Sequence, residues 1–118
     1  VADLRDLLTR LARVEGITAA VLVSRDGFVI EAAGIGADLD SEALGAVISS
    51  GISVIEDAGR ELKSGDLSQA MLEYENGIVM ISLIGSESIL AVKAGLRLNL
   101  GNIRYQVKKI TPELLRAM

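Results

Sequence analysis

Acid–base and nucleophilic chemistry at neutral pH usually starts from a histidine, a cysteine thiolate or paired carboxylates. This chain of 118 residues contains no histidine and no cysteine. That removes imidazole ligands, Ser–His triads, thiolate zinc sites and disulfides together. What remains is thin. Glu56, Asp57 and Glu61 cluster on one stretch and could invite a cation. No second segment supplies further acids at a defined spacing, so the pattern reads as a solvated helix end. Gly34-Ile35-Gly36 has no third glycine in register and no following Lys-Ser or Lys-Thr, so it is not a phosphate loop. Asp26 and Asp66 fall in turn sequences, where aspartate serves the backbone. Arg25 and Arg60 each have the chemistry of an arginine finger, a property shared by any surface arginine. Phe28, Tyr74 and Tyr105 are the only aromatics, too scattered for base stacking. The residues therefore imply no catalytic, cofactor or metal site, and recognition is the better expectation.

Composition agrees. Half the residues are hydrophobic and the mean hydropathy is +0.42, so apolar surface must be covered by something. The longest apolar run, residues 78–84, is strand-sized and far short of a membrane span. No basic-then-apolar leader is apparent, which points to a cytoplasmic protein without direct membrane insertion. Residues 93–118 carry six bases against Glu113, while the remainder carries six bases and fifteen acids. That basic stretch is too dilute to demand nucleic acid.

The elements follow from periodicity. Leu4, Leu7, Leu8, Leu11 and Val14 have helical spacing, and Gly16 supplies a stop. Residues 19–24 and 28–33 read as strands around the tight turn Arg25-Asp26-Gly27. Asp38 or Asp40 caps a long helix reaching Lys63, with Leu44, Val47, Ile48, Gly51, Ile55, Ala58 and Leu62 as its apolar stripe. Strands follow at 67–75, 78–84 and 88–94, the first two joined by Asn76-Gly77, a strong hairpin signal. A last helix runs from about Leu96 to Ile110, and Thr111-Pro112 restarts a short terminal one. The expected fold is α/β (α+β), one domain over residues 1–118, in the order α-β-β-α-β-β-β-α. Its five-stranded antiparallel sheet lies between helices, with 28–33 and 67–75 at the edges.

The long helix carries the sharpest signal. Residues 43–55 contain no charge, and Gly45, Ser49 and Ser53 recur every fourth position opposite the apolar stripe, with Ala46 and Ser50 beside them. Small uncharged residues on an outward face let a second backbone approach closely. The alternative is burial between two layers of the same domain. The strand 67–75 has no proline and no lysine, so its edge is an open template for pairing. Gly45, Ser49, Ser53, Leu67, Gln69, Met71 and Glu73 are accordingly the expected interface of a twofold homodimer.

Residues 20–27 read A-V-L-V-S-R-D-G and continue F-V-I-E-A-A-G. The later E-N-G-I-V-M-I-S-L-I-G, then L-A-V-K-A, the leading E-G-I and the closing G-N-I-R-Y-Q-V-K-K-I complete a pattern that resembles the Roadblock/LC7 family over essentially the whole chain. The resemblance implies a homodimer with second helices side by side and third strands joined. It also implies a scaffold or regulator of a small Ras-like GTPase, as in the MglB-type members, rather than an enzyme with its own substrate. A purely structural adaptor is the alternative. On that reading the GTPase would meet the helix platform and its rim at Asp40, Glu42, Ala46, Ser50, Asp57, Arg60 and Lys63.

Overall fold

The computed structural model describes residues 3–34, 39–95 and 99–118. The order is α1 (Leu4–Ala12), β1 (Ile17–Ser24), β2 (Val29–Ala33), α2 (Ser41–Glu61), β3 (Gln69–Tyr74), β4 (Gly77–Ile84), β5 (Ser88–Ala94) and α3 (Leu100–Ala117). The strands form one antiparallel sheet in the order β2-β1-β5-β4-β3. As expected, β2 and β3 are the edges; the central β1, β5 and β4 are buried on both faces.

Alternation along the strands sends side chains to two cores. Ala20, Leu22, Met80, Leu90 and Val92 meet Leu7, Leu8 and Leu11 of α1 and Ile103, Val107, Ile110 and Leu114 of α3. On the opposite face Ile81, Ile89 and Ala91 meet Ile48 and Ile52 of α2, with Leu44, Leu67, Ala70, Leu72, Val79 and Leu83 packed around them. The molecule is thus a sheet between an α1/α3 layer and the single helix α2.

Each helix starts on a side-chain cap. Asp3, Asp40 and Asn99 accept from the backbone N–H three residues on, at 2.9, 3.1 and 3.0 Å. Asp38, the other candidate cap, lies outside the described residues, as do Ile35 and Gly36 of the glycine loop and Leu96, the expected start of the last helix.

Two expected boundaries are corrected. The break at Thr111-Pro112 does not occur, and α3 runs through Pro112 to Ala117. The buried series Ile103, Val107, Ile110, Leu114 keeps its spacing across the proline, so core packing holds the helix together. Just before the proline, Thr111 donates its hydroxyl to the Val107 carbonyl at 2.8 Å. Helix α2 ends at Glu61 rather than Lys63. Lys63 instead takes a left-handed φ of 55°, its N–H donating to the Arg60 carbonyl at 3.0 Å and that of Ser64 to Gly59 at 2.9 Å. That is a Schellman ending with lysine where glycine is usual.

Candidate interaction surface

The placement of α2 begins at Gly45. It is buried, and a Cβ there would sit 2.8 Å from the Gly27 carbonyl oxygen and 3.2 Å from Val29 Cγ2. Only a glycine lets the helix lie this close to the β1–β2 hairpin. One turn on, the Ser49 hydroxyl donates to the Arg25 carbonyl of the same hairpin. Two turns further, Glu56 accepts both terminal nitrogens of the Arg25 guanidinium, at 2.7 and 2.9 Å. Arg25 also donates from Nε to the Ser86 carbonyl, and its backbone N–H donates to Glu87 at 3.0 Å. One arginine therefore ties α2, the β1–β2 hairpin and the β4–β5 turn together. The bidentate bond to Arg25 holds the Glu56 carboxyl below its ordinary range, against an opposing desolvation effect. The same bond raises the Arg25 guanidinium further above its own.

This corrects the expected orientation of the helix. Gly45 and Ser49 face the chain's own hairpin, not the outside. Among the apolar-stripe residues, Ile48 is buried and Leu44 and Ile55 are half-buried, but Val47, Gly51, Ala58 and Leu62 are exposed. At 100° per residue the buried arc, centred on Gly45, Ile48 and Ile52, is rotated from the expected one by roughly 70°. The hydroxyl and carboxylate of Ser49 and Glu56 find partners inward, and that leaves apolar side chains outward.

The outer face of α2 is consequently apolar. Val47 and Val54 are 68% and 69% exposed, and Ala46, Ser50 and Gly51 lie between them. Ser53 is exposed, its hydroxyl donating to the Ser49 carbonyl at 3.3 Å. Because α2 sits over β1 and β2, it leaves a groove of about 420 Å³ above β3 and β4. Leu44, Val47, Gly51 and Ile55 wall it, Leu72, Val79 and Ile81 floor it, and Tyr74 and Lys93 line it too. Beyond the groove lies the edge strand β3, with Met71, Glu73 and Tyr74 exposed and Gln69 half-buried. Leu67 precedes the strand and packs against the α2-side core. Charges sit at the two ends of α2. Asp40 and Glu42 are exposed at its start, and Asp57 accepts from Arg60 at 2.6 Å near its end, with Lys63 exposed beyond.

The acids near the end of α2 are divided between two arginines. Glu56 belongs to Arg25 and Asp57 to Arg60, and no group of His, Cys, Asp or Glu suited to a metal ion occurs among the described residues. Arg25, placed by the sequence in the hairpin turn, is bound inward. Ala46 and Ser50 share the outer face with the valines, while Asp40, Glu42, Asp57, Arg60 and Lys63 frame it. The sequence reading missed Val47 and Val54 as surface residues. Periodicity carried no signal for them; only the contacts of Gly45, Ser49 and Glu56 with the β1–β2 hairpin mark the opposite face as the inner one.

Comparison with known proteins follows the same lines. The sequence model of the Roadblock/LC7 domain matches residues 4–94. A Methanocaldococcus jannaschii protein, MJ1340, is 35% identical over 112 residues, covering 95% of this chain and 96% of the relative. The crystal structure of a Roadblock/LC7 domain from Streptomyces avermitilis superposes with a TM-score of 0.83 at 32% identity, covering 97% of this chain and 99% of that one. Myxococcus xanthus MglB has the same fold, with a TM-score of 0.89 at 21% identity over 93% of this chain and 89% of its own.

Proposed function

The chain belongs to the Roadblock/LC7 domain family, and from that premise we propose that it is a homodimeric scaffold that binds and regulates a small Ras-like GTPase. Members of this family are regulators and adaptors. One observation carries the self-association: an apolar helix face, an apolar groove and an open strand edge form one continuous surface. Exposed apolar patches of this kind mark contact sites. A second copy related by a twofold axis covers all three at once, α2 beside α2 and β3 against β3.

The interface of this reading is centred on Val47, Gly51 and Val54, with Ser53 at its margin and Gln69, Met71 and Glu73 on the strand. Leu67 supports it from below. Gly45 and Ser49 set the angle of the helix without taking part. The GTPase meets the assembled platform at its charged ends, through Asp40, Glu42, Asp57, Arg60 and Lys63, with Ala46 and Ser50 at the rim of the helix pair. Regulation then comes from ordering the switch segments of the GTPase, a two-state element that a rigid surface can bias. On this reading the chain, which has no histidine and no cysteine, supplies no catalytic group of its own.

Sedimentation equilibrium followed by a turnover assay tests the reading. The expected result is a dimer at micromolar concentration that changes GTP hydrolysis by a Ras-like GTPase of the same cell. A monomer of 12.4 kDa at all concentrations would overturn the assembly. A dimer that binds the GTPase without altering hydrolysis would reduce the function to that of an adaptor.

A further inference from the structure

Charge on this molecule is sorted by layer. Helix α3 carries Arg104, Lys108, Lys109 and Arg116 against Glu113 alone. Beside it, α1 and its caps carry Arg5, Arg10 and Arg13 against Asp3 and Asp6. On the far side of the sheet, α2 with its flanks carries five acids against Arg60 and Lys63. The α1/α3 layer is thus net positive in a chain whose overall charge is −4. Glu113 is already engaged by Arg10 at 3.4 Å, and none of the four α3 cations makes an ion pair among the described residues.

The outer face of α3 is not simply polar. Tyr105 is 59% exposed and Leu115 and Met118 are each 47% exposed. At 100° per residue, Tyr105, Lys108 and Pro112 fall opposite the buried Ile103, Val107, Ile110 and Leu114, and Leu115 lies to one side of them. Arg104 flanks that strip on one side, and Lys109 and Arg116 on the other. Tyr105 and Leu115, set among long-stemmed cations, let this face rest against a membrane interface with the charges at headgroup level.

We propose that the α1/α3 layer docks this protein peripherally on an anionic lipid surface. The headgroups take Arg104, Lys108, Lys109 and Arg116, and the boundary below them takes Tyr105 and Leu115. An acidic peptide fits less well. A bound segment needs a groove, and the cleft of about 970 Å³ beside α3, which Arg104, Tyr105 and Lys108 line, also holds the carboxylate of Asp66, whereas a lipid surface meets only the outer face. Nucleic acid finds one tyrosine and no stacking platform. The negative α2 layer is repelled by the same lipid, so docking is oriented and leaves the α2 face toward solution. The geometry stands for a single copy. In a dimer joined at β3, both α3 helices would lie on one side and act together.

Flotation of the full chain with vesicles of phosphatidylcholine, alone or with phosphatidylglycerol, provides the test. The protein should float only with the anionic vesicles, and less at high salt. K108E/K109E should lower the partition at least about tenfold, the neutralising R104Q/R116Q less so, and Leu115→Ser several-fold, with unchanged circular dichroism. The proposal falls if low salt gives no flotation, if both vesicle types bind equally, or if a folded K108E/K109E variant floats like the parent. Retention of the chain by DNA or polyglutamate, without flotation, would assign the face to another polyanion and equally overturn it. None of these outcomes depends on the GTPase reading.

Discussion

Arg25 and Glu56 are far apart in the chain and within 2.7 Å in space. Both side chains are largely shielded, at 32% and 14% exposed, so their bidentate contact is worth more than a surface pair. Replacing Glu56 by glutamine should cost about 1–2 kcal/mol, because Arg25 keeps its burial and loses its charge partner. The pH dependence has a definite sign. A carboxyl held below its ordinary range stabilises fully above about pH 4.3 and loses that contribution as pH falls through its lowered folded value. Chemical denaturation of both proteins across acidic pH should show the parent losing part of its advantage there, and the gap to Glu56→Gln closing. A gap that persists at the lowest pH would mean that packing, not charge, is responsible. Nothing in the spacing of Arg25 announced this contact, since a turn residue and a helix residue so distant meet only through the fold. Ser49 and Glu56, by contrast, share one helix face with Gly45, and that much was readable.

At the level of elements, the strands and their order were legible because hairpin turns and two-residue alternation are local signals. The face of α2 was not. An uncharged helix with apolar residues on several sides has no polar side to mark the solvent, so periodicity alone left its rotation open. The close approach at Gly45 decides it. This separates two substitutions. Val54→Asp puts a carboxylate on the outer face, where it should leave the monomer's fold intact and weaken association by more than about 2 kcal/mol through desolvation and twofold repulsion. Ser49→Glu should instead disturb the chain itself, since its side chain points at the Arg25 carbonyl. Thermal melts beside sedimentation velocity distinguish the two effects. If Ser49→Glu dissociates copies while melting like the parent, the orientation of α2 described here is wrong. The same limit of local signals explains α3, where a proline usually marks a boundary and four buried side chains override it.

For the molecule as a whole, the strand order has a consequence in time. The central pairing joins β1 to β5, so Leu22 meets Leu90 and Val21 meets Ala91. The β3–β4–β5 meander closes by short turns, but β1 must wait for the last strand. A chain ending after Ile84 lacks β5, the second partner of β1, and α3, whose Ile103, Val107, Ile110 and Leu114 complete the core with α1. It should give no cooperative melt and no protease-resistant fragment; a protected piece spanning α1 to β2 would overturn this. During synthesis, then, the first hairpin leaves the ribosome with one edge of β1 unpaired, and keeps it open until nearly the whole chain has been made, even after α1 and α2 have reached its two faces. The interval in which the nascent protein most needs a chaperone is therefore set by where β5 stands in the sequence.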